Sequence, residues 1–169
     1  MVSIGEYAFY ECSNLTEVHI RDVEAWCKIK FGDYTSNPLH CAHNLYLNGE
    51  LVTELTFPES VKSIGRLAFY SCSSLTSVTI PGSVTSIGGS AFDGCKRLYE
   101  VINFSNLNIR KGDYSHGSVG YYAQRVVTVD DIVGEYYFYS TSEGDHFLSY
   151  YIGEDKELTL PGDYKGDDY

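Results

Sequence analysis

Long apolar runs are missing from this chain of 169 residues. None approaches the about 18 consecutive apolar residues that cross a bilayer as a helix, so no membrane insertion is expected. Cations are scarce: 12 Lys and Arg stand against 23 Asp and Glu, for a formal net charge of −11. Binding to nucleic acid or to anionic lipid needs clustered Lys and Arg, so neither is expected. The opening MVSIGEYAF has no basic stretch followed by an apolar core, and it does not read as a secretory leader. A cytoplasmic chain fits that, and so does a piece of a longer exported one. Met and Trp occur once each, whereas Tyr occurs 16 times. Cysteine comes in an odd number, five, which does not suit a closed disulfide framework. Whether Cys27 and Cys41 pair stays open.

What the chain does have is repetition. SIGEYAFYECSNLTEVHI (3–20) returns as SIGRLAFYSCSSLTSVTI (63–80), and SIGGSAFDGCKRLYEV begins at Ser86. Ser63 to Ser86 is 23 positions, as are Phe69 to Phe92, Cys72 to Cys95 and Val78 to Val101. Self-similarity at one period of this size is the mark of stacked coils. Within a coil, Leu75, Val78 and Ile80 have the spacing of a short parallel strand entered from a bend. Val78 and Ile80 alternate with Ser77 and Thr79, so one face is buried and the other wet. Pro81 ends the strand and Gly82 allows the turn. Gly65 and Gly88 suit tight bends. Ala68-Phe69 and Ala91-Phe92 open short helical or 3₁₀ turns with Phe as the main buried group. Cys12, Cys72 and Cys95 share one repeat position and read as small apolar fillers. One coil buries too little alone, so stacked coils must share a core. The expectation is that Phe9, Phe69 and Phe92 form one column.

Strand-like segments recur at Val18–Ile20, Leu55–Phe57, Val78–Ile80, Val101–Ile102 and Leu158–Leu160. On that alignment 1–169 is a single domain, with regular coils at 3–20, 54–85 and 86–102 and enlarged coils at 21–53 and 103–157. Asp22 is placed to cap a short helix carrying Trp26. Asn48-Gly49 between LYL and ELV signals a two-residue hairpin. Ser118–Val126 reads as a short helix. GEYYFYSTSEGDHFLSYYIGED, 134–155, reads as a second, Tyr-rich hairpin.

The pattern SIGxxAFxxCxxLxxVxIPxSVx, met almost fully at 63–85 and largely at 3–20 and 86–101, resembles the BspA-like, or Treponema pallidum type, bacterial leucine-rich repeats. The likeness covers nearly the whole chain, including AWCKIKFGDYTSNPLHCAHNLYLNGELVTELTFP and VINFSNLNIRKG. It implies a right-handed leucine-rich-repeat solenoid with a concave parallel sheet and short helical turns, into which two β-hairpins are inserted. It also implies cell-surface export, adhesion or protein binding, and no catalytic residue. The chain departs from the pattern at Arg21, where Pro is usual, and at Asn103, where an aliphatic residue is expected. Joining LTLPGDYKGDDY to VSIGEYAF rebuilds one coil, so the chain reads as part of a longer array cut mid-repeat. Exposed coil ends then favour head-to-tail self-association.

Motifs for chemistry are few. His40, Cys41 and His43 crowd into LHCAH, but no CxxC or second ligand pair accompanies them, so no metal is expected. Asp163, Asp167 and Asp168 lack the ligand order of a calcium loop. Ser90 sits in GGSAF, where another copy has Leu67, so repetition explains it better than nucleophilic chemistry does. No phosphate or dinucleotide loop is present, and no cofactor is expected.

Candidate binding residues lie on the open face of the sheet. Strand alignment puts Glu17, Glu54, Ser77, Glu100 and Glu157 in one row and His19, Thr56, Thr79, Ile102 and Thr159 in the next. Neighbouring glutamates about 4.8 Å apart would repel modestly, which a cationic ligand patch would relieve. Tyr136, Tyr137 and Tyr139, with Tyr150 and Tyr151, offer a second surface, since Tyr gives contact area at low entropy cost. The leading expectation is a non-enzymatic recognition module of a cell-surface protein that binds a protein through the sheet. A structural spacer, and a carbohydrate-binding module using the Tyr-rich hairpin, are the rivals.

Overall fold

A computed structural model describes residues 2–128 in full and, beyond them, the backbone of 132–133, 136–140, 146–151, 163–164 and 167–168. The chain divides into two compact units, Met1–Val126 and Val127–Tyr169. The enlarged coil expected over 103–157 therefore runs across the division.

The first unit is a succession of very short strands and turns: β1 (Ser3–Ile4), β2 (Val18–Ile20), α1 (Val23–Cys27), β3 (Lys30–Phe31), a 3₁₀ turn (Tyr34–Ser36), α2 (Leu39–Ala42), β4 (Leu45–Leu47), β5 (Glu50–Leu51), β6 (Glu54–Thr56), β7 (Ser63–Ile64), β8 (Ser77–Ile80), β9 (Ser86–Ile87), β10 (Glu100–Asn103), α3 (Ser115–Ser118) and the first two residues of β11 (Arg125–Thr128). Parallel pairing joins successive coils along two sides. On one side the ladders are β1–β3 and β7–β9. On the other, β2 pairs with β4, and a four-stranded sheet runs in the order β11-β10-β8-β6.

Backbone bonds fix the repeat frame. Phe69 N–H reaches Ala91 C=O (2.7 Å), Phe9 N–H reaches Thr35 C=O (3.0 Å) and Phe92 N–H reaches Gly117 C=O (2.8 Å). The residues stacked at one position are therefore Phe9, Ser36, Phe69, Phe92 and Ser118. The expected Phe column is real in its middle. Phe69 and Phe92 stack with ring centroids 5.2 Å apart and planes at 14°, and Phe57 meets both edge-on. Phe9 occupies the equivalent position but is half-exposed, and its neighbour is the buried Ser36.

Where the chain was expected to form helical turns it strings together separate ones. Tyr70 N–H bonds Leu67 C=O and Cys72 N–H bonds Phe69 C=O. Leu67 (φ 63°) and Ser71 (φ 59°) are left-handed, as are Ser90 (φ 55°) and Gly94 (φ 79°) in the next coil, so no helix propagates. Ser90 is thus a repeated backbone kink.

Gly65 and Gly88 were expected for tight bends, but neither is left-handed. What demands them is close stacking. A Cβ on Gly65 would lie 2.5 Å from Cys27 C=O, and one on Gly88 would overlap the Arg66 backbone.

The first enlarged coil follows its signals. Asp22 accepts from Ala25 N–H at 3.0 Å and caps α1, and Trp26 Nε1 donates to Ala68 C=O at 2.8 Å. β4 and β5 pair antiparallel around Asn48 (φ 53°) and Gly49 (φ 93°), the positive-φ pair of a tight two-residue turn. The buried Asn37 also ties this coil to the next, donating to Leu67 C=O at 2.6 Å and accepting from Leu39 N–H.

One expectation needs correction. Ser118–Val126 is not one helix: α3 ends at Ser118 and β11 begins at Arg125, because Val126, Val127 and Thr128 are β-branched and extend the existing sheet edge. Asn103 keeps its register opposite Ile80. Its side chain replaces aliphatic packing with bonds to Leu107 C=O (2.8 Å) and from Ser105 Oγ (2.6 Å).

In the second unit, β12 (Ile132–Val133), β13 (Tyr136–Ser140) and β14 (His146–Tyr151) form an antiparallel sheet in that order. β15 (Asp163–Tyr164) and β16 (Asp167–Asp168) form an antiparallel pair.

Candidate functional site

The four-stranded sheet of β6, β8, β10 and β11 is built by alternation. Leu55, Val78 and Val101 point inward and are buried, so the residues on either side of each must face solvent. Register then fixes the rows. Glu54 stands beside Ser77 and Ser77 beside Glu100; Thr56 stands beside Thr79 and Thr79 beside Ile102. These are the rows expected for strands β6, β8 and β10. Ser77 separates the two carboxylates, which therefore sit about 10 Å apart and repel little.

The fourth strand brings a residue that strand alignment missed. Arg125 N–H bonds Tyr99 C=O at 3.0 Å, which sets Arg125 next to Glu100. Its Nη1 lies 3.0 Å from Glu100 Oε1, with both side chains largely covered. The cation expected from a ligand is thus supplied at Glu100 by the chain itself. RVVT, 125–128, has the strand composition that could have revealed it. Glu54 is exposed and makes no ion pair among the described residues.

Glu17 and His19 do not extend these rows. β2 pairs with β4, so His19 stands opposite Tyr46 rather than Thr56. The reason is the spacing of the second coil. Ser36, Leu39, Ala42 and Leu45 hold the positions of Phe69, Cys72, Leu75 and Val78, and the β4–β5 turn then separates Leu45 from Leu55. LYL was legible as one arm of a hairpin, but not as the partner of VHI. On this second patch His19 stacks on Tyr46 (centroids 4.7 Å, planes 17°) and its Nε2 lies 3.0 Å from Glu17 Oε2.

Glu157 and Thr159 lie outside the described residues, as do Leu158–Leu160. For Tyr136, Tyr137 and Tyr139 only the backbone is described: Tyr136 pairs with Tyr151, Tyr137 with Tyr150 and Tyr139 with Phe147. Asp163 pairs with Asp168.

The LHCAH residues go to separate partners. His40 packs against Tyr34 and Tyr70, His43 Nδ1 lies 3.1 Å from Ser71 C=O, and Cys41 Sγ lies 3.5 Å from Phe9 C=O. Among the described residues no three His, Cys, Asp or Glu side chains converge as metal ligands, and no helix is long and apolar enough to cross a membrane. All five cysteines are free thiols. Burial pushes the Cys27 thiol up to about 12, with Asp22 and Glu24 adding to the effect. Burial also raises Cys72 and Cys95.

The family described as the BspA type leucine rich repeat region matches residues 1–34 and 42–142, in six copies. The chain belongs to this family. The unmatched 35–41 is where Ser36 and Leu39 replace the Phe and Cys of the repeat. BspA-type repeats suggest a protein-interaction module. No curated protein and no solved structure matches the chain.

Proposed function

We propose that the chain is a non-enzymatic recognition module displayed at the cell surface, and that it binds a protein partner through the open face of β6, β8, β10 and β11. The observation that carries this reading is the pair of in-register, outward-facing rows, Glu54–Ser77–Glu100–Arg125 and Thr56–Thr79–Ile102, of which Glu54 and Thr56 are exposed and the rest partly covered. Core packing does not require these side chains, and a largely polar open face is compatible with a non-obligate protein interface, which is no more apolar than the rest of a protein surface. Membership of the BspA-type family supports the reading, since leucine-rich repeats present such faces to other proteins. The proposal takes the coils as right-handed, the usual sense for parallel crossovers, with the sheet concave, and takes 1–169 as one repeat array.

A labelled sample of the whole chain, applied to an array of extracellular-matrix proteins and glycans, tests it. Binding to one or more proteins is expected, with at least tenfold loss for the double variant Glu54→Lys, Thr79→Lys. Glycan-only binding would favour a carbohydrate module, and no binding would favour a spacer. Either outcome, or full retention by the variant, sinks the proposal.

A further inference from the structure

Successive coils are joined by one repeated bond on the glycine side. Gly32 N–H donates to Ile4 C=O (2.9 Å) between the first two coils, and Gly88 N–H donates to Ile64 C=O (2.8 Å) between the third and fourth. The same bond between the second and third coils would run from Gly65 N–H to Phe31 C=O. It does not form. Gly65 N–H instead takes Cys27 C=O (3.0 Å), the carbonyl at the end of α1. β3 and β7 are consequently unpaired with each other: β1–β3 and β7–β9 are separate two-stranded ladders.

In a parallel ladder, alternate residues direct their N–H and C=O to opposite sides. Ile4 brackets Phe31 through Gly32 on one side, so Phe31 turns its own N–H and C=O towards the third coil. Ser63 turns its peptide groups towards the second. Outside the β1–β3 and β7–β9 ladders, no hydrogen bond is made among the described residues by the N–H or C=O of Phe31, or by Ser63 C=O. Between these edges lies a cavity of about 470 Å³, lined by Lys28, Lys30, Phe31, Ser63, Gly65 and Arg66 among others. That volume is within the range of ligand-binding clefts, ~300–1,000 Å³.

Charge says what fits. The chain is acidic overall, with a net charge of −11, yet three of its 12 basic residues line this one cavity. Lys28 is already held by Glu24. Lys30 and Arg66 have no carboxylate partner among the described residues, and Arg66 Nη1 reaches only Gly32 C=O, at 3.3 Å.

We infer that the slot between β3 and β7 takes an extended, acidic peptide segment of a partner protein. The segment adds as a strand against Phe31, with its N–H and C=O completing the ladder that α1 interrupts, and a carboxylate side chain meets Lys30 and Arg66. A helix or a compact ligand does not present alternating donors and acceptors along an edge. This site is separate from the sheet face proposed above, and its fate does not depend on that reading.

The test is fluorescence anisotropy of the whole chain with a fluorescein-labelled hexapeptide of alternating valine and glutamate. The same peptide with N-methylated backbone, and one of alternating valine and lysine, serve as comparisons. Saturable binding is expected for the first peptide only, accompanied by amide NMR shifts at Phe31 and Ser63. The double variant Lys30→Glu, Arg66→Glu alters exposed side chains, so its amide spectrum elsewhere should be unchanged, and its affinity should fall at least tenfold. Absence of binding, equal binding of the N-methylated peptide, or unchanged affinity in the double variant overturns the inference.

Discussion

At the scale of single residues, the same letter of the repeat does different work in different coils. Phe92 is fully buried against Phe69, whereas Phe9 keeps solvent on one side. Truncating Phe92 to Ala removes a stacked ring and leaves a cavity, so it should cost about 3–5 kcal/mol in urea unfolding. Phe9→Ala loses only partial burial and should cost about 1 kcal/mol. Equal losses would contradict the stacking. The thiols give a pH-dependent readout. Cys27 holds its proton in the folded chain to about pH 12, against about 9 when exposed. Between those values the unfolded chain releases a proton that the folded chain retains. Stability is therefore undiminished by this group below about pH 9, and it falls as pH rises towards 12. Cys27→Ala should flatten that alkaline loss in denaturation curves recorded from pH 8 to 11.

At the scale of elements, each coil is defined by its fit to the one before it. Glycine is needed at Gly88 because the Arg66 backbone occupies the space of a Cβ, while a Cβ on Gly5 would meet nothing within 4 Å. Gly88→Ala should therefore destabilise by about 1–3 kcal/mol through overpacking. Gly5→Ala should be neutral or stabilise by up to about 1 kcal/mol, by restricting the unfolded chain. Thermal melts of the two variants separate close stacking from the bend that the sequence alone suggested, since a bend would penalise both alike. The same logic explains the slot at Phe31. The end of α1 reaches Gly65 first, and β3 loses its neighbour. Both α1 and the Asn48-Gly49 turn were readable from local rules of capping and positive φ. Their consequences for strand pairing were not, because pairing depends on which carbonyl arrives at the right place in space.

At the scale of the whole molecule, stacked short coils leave edges. Among the described residues β1 pairs only with β3, and Val2 and Tyr7 beside it are exposed at 64% and 65%. An open strand edge with apolar neighbours invites a second chain. Sedimentation velocity should show concentration-dependent association between micromolar and millimolar protein, suppressed by Ile4→Lys. A single monomeric species across that range would refute the idea.

The period of 23, the Phe69–Phe92 column and the rows through Ser77 and Thr79 were settled by sequence, because identical spacing places identical residues in identical surroundings. The partner of β2, the ion pair of Arg125 with Glu100 and the gap between β3 and β7 were decided only in three dimensions. In the coils that depart from the period, chain length no longer fixes which edges meet. Hydrogen bonding and close packing between segments far apart in sequence make that choice.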